Sequence, residues 1–294
     1  MRILITGASG LLGSKIAELA VKLGYEVYSG YLTHEPTHGT PLKLEVRDTD
    51  ALRRMFNKVR PEVVIHAAAL TDVDRCEMDK ELAWSINVEG TRNVAELSKR
   101  YGAFLVYVST DYVFKGDKGM YRETEEANPV NYYGLTKLEG ERRVIDVLDE
   151  YCIARSSVIY GSRPASGKVN FALWIIERLR RGETVNVLKD QWNSPTLNTN
   201  LAEMILEIAE RKLTGVYHLA GAARVSRYEF ASMIAETFDL DKELIRPVTM
   251  DKLEWIAPRP KDSSLDVSKA MKTLRKKPIR IEEALKRLRE EIES

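Results

Sequence analysis

Tyr133-Gly134-Leu135-Thr136-Lys137 places a phenol and an ammonium at i and i+4, on one face of a helix. Upstream, Val106-Tyr107-Val108 runs into Ser109-Thr110-Asp111, setting a hydroxyl at the carboxyl end of a predicted strand. That is where open α/β sheets bind their ligands. The three side chains Thr110, Tyr133 and Lys137 suit proton transfer to an oxygen. A free phenol titrates near ~10, and an adjacent cation stabilises the phenolate and lowers that value toward the working range. Tyr133 can then protonate the alkoxide that forms when hydride reaches a carbonyl, while Thr110 hydrogen-bonds the same oxygen. Tyr-x-x-x-Lys alone is common on solvated helix faces, so its weight comes from what precedes it.

What precedes it is a glycine turn. Thr6-Gly7-Ala8-Ser9-Gly10-Leu11-Leu12-Gly13 follows the apolar run Ile3-Leu4-Ile5 and opens an apolar-periodic stretch, which reads as strand, tight turn, helix. One glycine supplies positive φ, a second lets backbone approach a diphosphate, and a third lets helix pack closely on strand. The helix start then offers unpaired N–H groups and a positive dipole end to the phosphates. Gly7, Ser9, Gly10, Leu11, Leu12 and Gly13 are therefore the first candidates for holding a dinucleotide.

These residues need a sheet to hold them. Strand patterns at 2–6, 26–30, 62–66, 103–109 and 151–156 alternate with helical ones at 11–23, 49–58, 79–100 and 132–149. That rhythm predicts βαβ units and a Rossmann-type doubly wound parallel sheet over residues 1–160. Beyond Gly161 it breaks. Helical patterns at 170–181, 200–211, 227–238 and 281–291 are interleaved with Pro-, Asn- and Ser-rich segments. Residues 161–294 are thus expected to form a smaller α/β substrate-binding region, and the strand-like pieces Val185-Asn186-Val187 and Val216-Tyr217-His218-Leu219 argue for segments returning to the first domain.

Composition narrows the partners. The 294 residues carry a net charge of +1, which offers no global field for nucleic acid or an anionic membrane. No apolar run reaches the ~18 residues of a membrane span, and Met1-Arg2 leads straight into a strand without signal-peptide anatomy. A cytoplasmic location is the expectation. Cys76 and Cys152 are too few for a disulfide framework and lack metal-ligand spacing, and His34, His38, His66 and His218 are scattered, so no metal is expected. His66, ending an apolar strand, reads as a hydrogen-bonded core residue. A homodimer is allowed for, because a helical dimer face looks like any amphipathic helix.

Beyond the glycine turn, five blocks carry a resemblance: His66-Ala67-Ala68-Ala69-Leu70-Thr71-Asp72-Val73-Asp74, Ser109-Thr110-Asp111-Tyr112-Val113-Phe114, Asn131-Tyr132-Tyr133-Gly134-Leu135-Thr136-Lys137, Asp190-Gln191 with Pro195-Thr196, and Arg259-Pro260 with Ser263 and Leu265. In that order they resemble the extended short-chain dehydrogenases/reductases and, more narrowly, the dTDP-4-dehydrorhamnose reductase family. The G-x-x-G-x-x-G spacing of the turn is similar to the form typical of the extended group. The resemblance implies NADPH-dependent reduction of a 4-keto nucleotide sugar, with Thr110, Tyr133 and Lys137 catalytic. It implies cofactor contacts from Ala67, Ala68 and Ala69 after the fourth strand, from Tyr133 and Lys137, and from Glu45 and Val46, where Glu replaces the usual Asp. It implies substrate contacts from Thr71, Val73, Thr110, Asp111, Tyr112, Asn170, Gln191 and Arg259.

Departures from the family pattern bear on specificity. Val158 in Arg155-Ser156-Ser157-Val158-Ile159-Tyr160-Gly161 stands where an aromatic ring commonly packs on the sugar, and Asn193 replaces a small glycine beside Trp192. The second strand ends in Ser29-Gly30-Tyr31-Leu32-Thr33-His34 with no acid until Glu35, which favours NADP(H), with Ser29, Thr33 or His34 as donors to a 2′-phosphate, though NAD(H) is also admitted. Asp111-Tyr112 disfavours the dehydratase relatives, which carry Asp-Glu there. The same blocks also resemble the regulatory β subunit of methionine adenosyltransferase, a non-catalytic relative, and a nucleotide-sugar epimerase would need the same Tyr and Lys.

Overall fold

The computed structural model describes residues 1–164 and 169–294. Its strands are β1 (Arg2–Thr6), β2 (Glu26–Tyr31), β3 (Thr40–Lys43), β4 (Val63–His66), β5 (Phe104–Thr110) and β6 (Tyr151–Ser156). With Gly215–His218 they form one seven-stranded sheet. The spatial order is Gly215–His218, β6, β5, β4, β1, β2, β3, and every neighbouring pair is parallel. Chain direction across the sheet reverses between β1 and β4, the switch point at which such folds bind ligands.

The apolar pattern explains both faces. β1 is buried except at Arg2, as a central parallel strand requires. Ile3 and Ile5 pack with Leu12 and Ile16 of helix α1 (Leu11–Lys22), whereas Leu4 packs on the opposite face with Leu52 and Phe56 of α2 (Thr49–Val59). Each fully buried Ile or Leu contributes about 1.5–3 kcal/mol. Asp48 caps α2 by accepting from Asp50 and Ala51 N–H, and Gly102 ends a later helix at φ 64°.

The stretch 79–100, expected as one helix, is helical from Lys80 to Tyr101 but contains a π turn. α3 (Val73–Met78) and α4 (Lys80–Trp84) are separated by Asp79, which caps α4 through the Leu82 N–H, and a π-helical turn at Ser85–Glu89 precedes α5 (Gly90–Tyr101). β3 escaped the sequence reading because Pro41 lies inside it and most of it is exposed, which suits an edge strand. α6 (Tyr132–Val147) carries the Tyr-x-x-x-Lys pair and is capped by Asn131, which accepts from Gly134 N–H.

The C-terminal half contributes to both layers. α7 (Phe171–Arg180) leads to α8 (Asn198–Arg211), which buries Leu201, Ile205 and Ile208 with α1 beneath the sheet. α9 (Arg227–Thr237), opened by a Ser226/Glu229 capping box, packs with α7 and the final helix Ile281–Glu293 in a separate core around Tyr160, Phe230 and Leu285. Among the described residues, no helix is long and apolar enough to cross a membrane.

Candidate active site

The glycine turn is shaped by contacts that no side chain could share. Gly7 has φ +71°, and a Cβ there would lie 2.7 Å from Ala68 N. A Cβ on Gly13 would lie 2.2 Å from the Gly7 carbonyl oxygen, so only glycine lets α1 start this close to β1. Gly10 is the α1 N-cap without a side-chain partner, and the first turn of α1 has no acidic residue. A bare helix start next to a glycine surface fits a diphosphate.

The turn forms one wall of a cleft of about 570 Å³. Ser9, Leu11 and Leu12 join the three glycines there, and Glu45, Val46, Ala67, Ala68, Ala69 and Thr71 line the same space. Thr110, Tyr133 and Lys137 line it as well, with Ser156 and Val158. Glu45 is held by Arg47, which donates Nε to Oε1 at 3.0 Å and Nη2 to Oε2 at 2.8 Å, and these bonds lower its carboxyl pKa.

The β1–β4 floor is set by a buried relay. Thr6 Oγ1 lies 2.6 Å from His66 Nδ1, and His66 Nε2 lies 3.1 Å from Thr91 Oγ1. Because the Thr91 hydroxyl donates to the Asn87 carbonyl at 2.7 Å, Nε2 carries the ring proton and Nδ1 accepts from Thr6. Burial, helped by the charge on Lys137, pushes His66 down to about 3, so the ring stays neutral, and Thr6 Oγ1 accepts from Ala68 N–H at 3.3 Å. Asn87, in the π turn, grips Leu70 twice, accepting from its N–H at 2.8 Å and donating to its carbonyl at 3.0 Å, and also donates to Thr136. Its neighbour Ile86 lines the cleft. Neither residue was singled out in the sequence, because helical periodicity does not reveal a π turn.

Thr110 donates to Asp111 Oδ1 at 3.0 Å and accepts from Tyr112 N–H at 3.2 Å. The Tyr133 ring meets that of Tyr112 edge-on at 5.9 Å. Burial raises the Tyr133 pKa above its ordinary value, and its hydrogen bond with Thr110 only partly offsets this. Lys137 donates to the Val108 carbonyl at 2.7 Å and sits 4.1 Å over the Tyr107 ring. Burial lowers it to about 7, opposed by the Glu141 carboxylate. The expected lowering of the phenol by the lysine is therefore not what this structure shows: the ammonium points to Val108 and desolvation dominates both groups.

Glu141, a further helical turn along, forms a buried bidentate pair with Arg155, Nε to Oε1 at 2.9 Å and Nη2 to Oε2 at 2.6 Å. Ser109 also donates to Glu141 Oε1, so β5, β6 and α6 are locked together behind Lys137. The i+4 spacing from Lys137 was the signal that could have found Glu141. Cys76 donates to the Leu70 carbonyl and is pushed up to about 11 by burial, which leaves an inert thiol.

The residues expected to meet substrate separate into groups. Thr71 and Thr110 line the first cleft, whereas Tyr112, Gln191 and Arg259 line a second of about 290 Å³. Phe171, Trp174, Arg227 and Trp255, not foreseen, join them there. Val73, Asp111 and Asn170 line neither cleft. Val73 opens α3. Asp111 is buried, accepting from Thr110, from Ser157 at 2.8 Å and from Ser263 at 2.5 Å. Asn170 caps α7 through Leu173 N–H and donates to the Gly161 carbonyl. Val158, at φ 38°, holds a left-handed conformation that β-branched residues rarely adopt. Trp192 stacks under Arg224 at 5.0 Å, outside both clefts.

The expected phosphate readers also separate. Ser29 is fully buried and donates to the His38 carbonyl at 2.7 Å, away from the cleft. A Cβ on Gly30 would lie 2.8 Å from Leu44 Cδ2. Tyr31, Leu32 and Thr33 line the cleft instead, with Thr33 hydrogen-bonded to the exposed His34.

A doubly wound sheet with this glycine turn at its switch point, and a Thr-Tyr-Lys set at the same cleft, defines a dinucleotide-dependent oxidoreductase of the extended short-chain type. The chain belongs to the dTDP-4-dehydrorhamnose reductase family: the model described as RmlD substrate binding domain matches residues 1–294. It is 35% identical to a probable low-salt glycan biosynthesis reductase of Haloferax volcanii, covering 90% of this chain and 89% of that one. It is 32% identical to a dTDP-4-dehydrorhamnose reductase of Aggregatibacter actinomycetemcomitans, covering 98% of each. It is also 34% identical to methionine adenosyltransferase 2 subunit beta of Xenopus laevis, over 92% of this chain and 82% of that one. Among solved structures, a dTDP-4-dehydrorhamnose reductase of Clostridium acetobutylicum superposes with a TM-score of 0.90 at 33% identity, covering 100% of both chains. One from Bacillus anthracis, in complex with NADP, gives 0.88 at 33% identity, covering 100% of this chain and 99% of that one.

Proposed function

We propose that this protein uses NADPH to reduce the keto group of a 4-keto nucleotide sugar of the dTDP-4-dehydrorhamnose type. The observation that carries this reading is that Thr110, Tyr133 and Lys137 line one cleft while Tyr112, packed against Tyr133, lines a second of different character. One has the glycine turn and fits a dinucleotide. The other has aromatic walls and two guanidinium groups, Arg227 and Arg259, and fits the base and phosphates of a nucleotide. Tyr112 lines the second cleft and its ring meets that of Tyr133, which lines the first, so the two clefts adjoin at these rings.

Gly7, Gly10, Gly13 and the α1 start would hold the diphosphate of the dinucleotide, Val46 and Ala67–Ala69 its adenosine side, and Lys137 its nicotinamide ribose. When bound, the nicotinamide supplies the hydride. Tyr133, kept protonated at neutral pH by its raised pKa, gives its proton to the substrate oxygen. Thr110, whose Oγ1 accepts from the Tyr112 N–H, would turn its single proton from Asp111 to that oxygen.

The test is incubation with NADPH and dTDP-4-dehydro-6-deoxy-L-mannose, following the absorbance of the reduced nicotinamide. Stoichiometric oxidation is the expected result. Conversion of a sugar nucleotide with no net cofactor use would identify an epimerase. Failure with this and related keto sugars, together with tight binding to a methionine adenosyltransferase, would favour a regulatory subunit, a reading prompted by the Xenopus relative.

Cofactor preference has its own check. Ser29 is buried and Gly30 is hemmed in, so an acid at either position would disturb the strand. Thr33 lines the cleft. Thr33→Asp is expected to repel a 2′-phosphate and lower the kcat/KM ratio of NADPH over NADH at least about tenfold, or ~1.4 kcal/mol. An unchanged ratio would mean that this strand end does not read the phosphate.

A further inference from the structure

The second cleft is closed on one side by Trp255 and Arg259, and the segment that carries them is tied to the dinucleotide half of the molecule. Asp74, in the first turn of α3, uses both carboxylate oxygens for this. Oδ1 accepts from Ala257 N–H at 3.0 Å, and Oδ2 pairs with Arg259 Nη2 at 2.9 Å. Arg259 in turn donates Nη1 to the Ala257 carbonyl at 2.7 Å and lies 5.6 Å over the Trp255 ring. A second tie comes from Asn131, the α6 cap, which donates to the Pro258 carbonyl at 2.9 Å.

These contacts fix the guanidinium before any ligand arrives. The Arg259 side chain is only 13% exposed while that of Asp74 is 33% exposed, so the carboxylate stands at the rim and the cation lies inside. An arginine immobilised by a carboxylate loses less freedom on meeting an anion than a free one. Its donors not committed to Ala257 or Asp74 remain for a phosphate.

We propose that Asp74 is a positioning residue for substrate binding: it holds Arg259 in place to grip the diphosphate of the nucleotide sugar. This rests on the reading of the second cleft as the nucleotide site. Asp74 also stands three residues beyond Thr71, which lines the first cleft, so the helix that presents it starts from the dinucleotide-lining loop.

The test uses calorimetric titration of dTDP into the whole protein and Asp74→Asn, Asp74→Glu, Arg259→Ala and the Asp74→Asn/Arg259→Ala double variant. Asparagine keeps its oxygen as acceptor for Ala257 N–H and replaces the charged acceptor facing Arg259 with an N–H donor, so the segment is expected to stay in place while the grip on the guanidinium is lost. Asp74→Asn should weaken dTDP binding roughly tenfold, within the range of coupled neighbours. KM for the sugar nucleotide should rise by a similar factor with little change in kcat, and NADPH affinity should hold. Asp74→Glu should recover part of the loss, and in the Arg259→Ala background Asp74→Asn should cost nothing more. Unchanged or tighter dTDP binding by Asp74→Asn would overturn the proposal, as would an equal loss of NADPH affinity, which marks a merely structural residue. If the wild-type protein does not bind dTDP, the reading of the cleft fails and the role of Asp74 fails with it.

Discussion

Tyr133→Phe is expected to lower turnover by about 10²–10⁴-fold, the loss that follows removal of a positioned general acid. In activation free energy this is about 2.7–5.4 kcal/mol. The substitution deletes one oxygen and keeps the ring, so the edge contact with Tyr112 and the packing at the start of α6 survive. What disappears is the phenol proton, which burial keeps on Tyr133 at neutral pH. Dinucleotide affinity should therefore change little, because on the proposed reading the glycine turn, and not the phenol, holds the diphosphate. Steady-state kinetics together with a nucleotide titration checks both halves. A variant with wild-type turnover would remove Tyr133 from its assigned role, and one that lost NADPH binding in step with activity would make it a binding residue.

Lys137→Met is expected to weaken NADPH binding and at the same time stabilise the ligand-free protein near pH 7. The unfolded chain keeps the lysine proton up to ~10.4, whereas the folded protein keeps it only up to about 7. Between those values unfolding takes up a proton, so wild-type stability rises with pH. At and below about 7 both states are charged and the folded state carries the whole desolvation cost. Methionine removes that cost. Its melting temperature near pH 7 should exceed that of wild type by at least ~2–4 °C, the shift that ~1 kcal/mol gives in a large domain. The gap should close as pH approaches ~10. A variant less stable than wild type at pH 7 would mean that the Val108 and Tyr107 contacts outweigh burial of the charge.

Much of this site is local enough to read without a structure. The glycine turn, the Thr110 strand end and the Tyr133/Lys137 pair each depend on neighbours within a few residues, and periodicity places them at one edge of a parallel sheet. The ties that fix them are not local. Asn87 reaches Leu70 and Thr136 from a π turn, and Glu141 meets Arg155 only after β5 and β6 pair. Arg259 meets Asp74 from 185 residues further along the chain. Ser29 shows the opposite error. Its type and position suited a phosphate donor, but strand alternation turns it to the His38 carbonyl. The resemblance implies a substrate contact for Asp111, whereas the neighbouring Thr110 hydroxyl and two hydroxyls from distant segments, Ser157 and Ser263, enclose it.

The buried pair of Glu141 and Arg155 shows how the fold supports the chemistry. Truncating one partner of a buried pair strands a charge, at a cost of about 3–5 kcal/mol. Here the pair also sets the field at Lys137, since the Glu141 carboxylate opposes the drop in its pKa. Stability and the protonation state of the site thus meet in Glu141.

Hydride transfer to the sugar is the step on which the whole reading depends, and isotope labelling observes it directly. Both stereoisomers of [4-²H]NADPH are incubated in turn with the protein and dTDP-4-dehydro-6-deoxy-L-mannose, and the product is examined by mass spectrometry and proton NMR. One of the two isotopomers should deliver one deuterium to C4 of the sugar, matched mole for mole by oxidised cofactor, and the other should deliver none. Product formed without deuterium at C4 from either isotopomer, or no product at all while NADPH stays reduced, would contradict the assignment of this protein as a 4-keto nucleotide-sugar reductase.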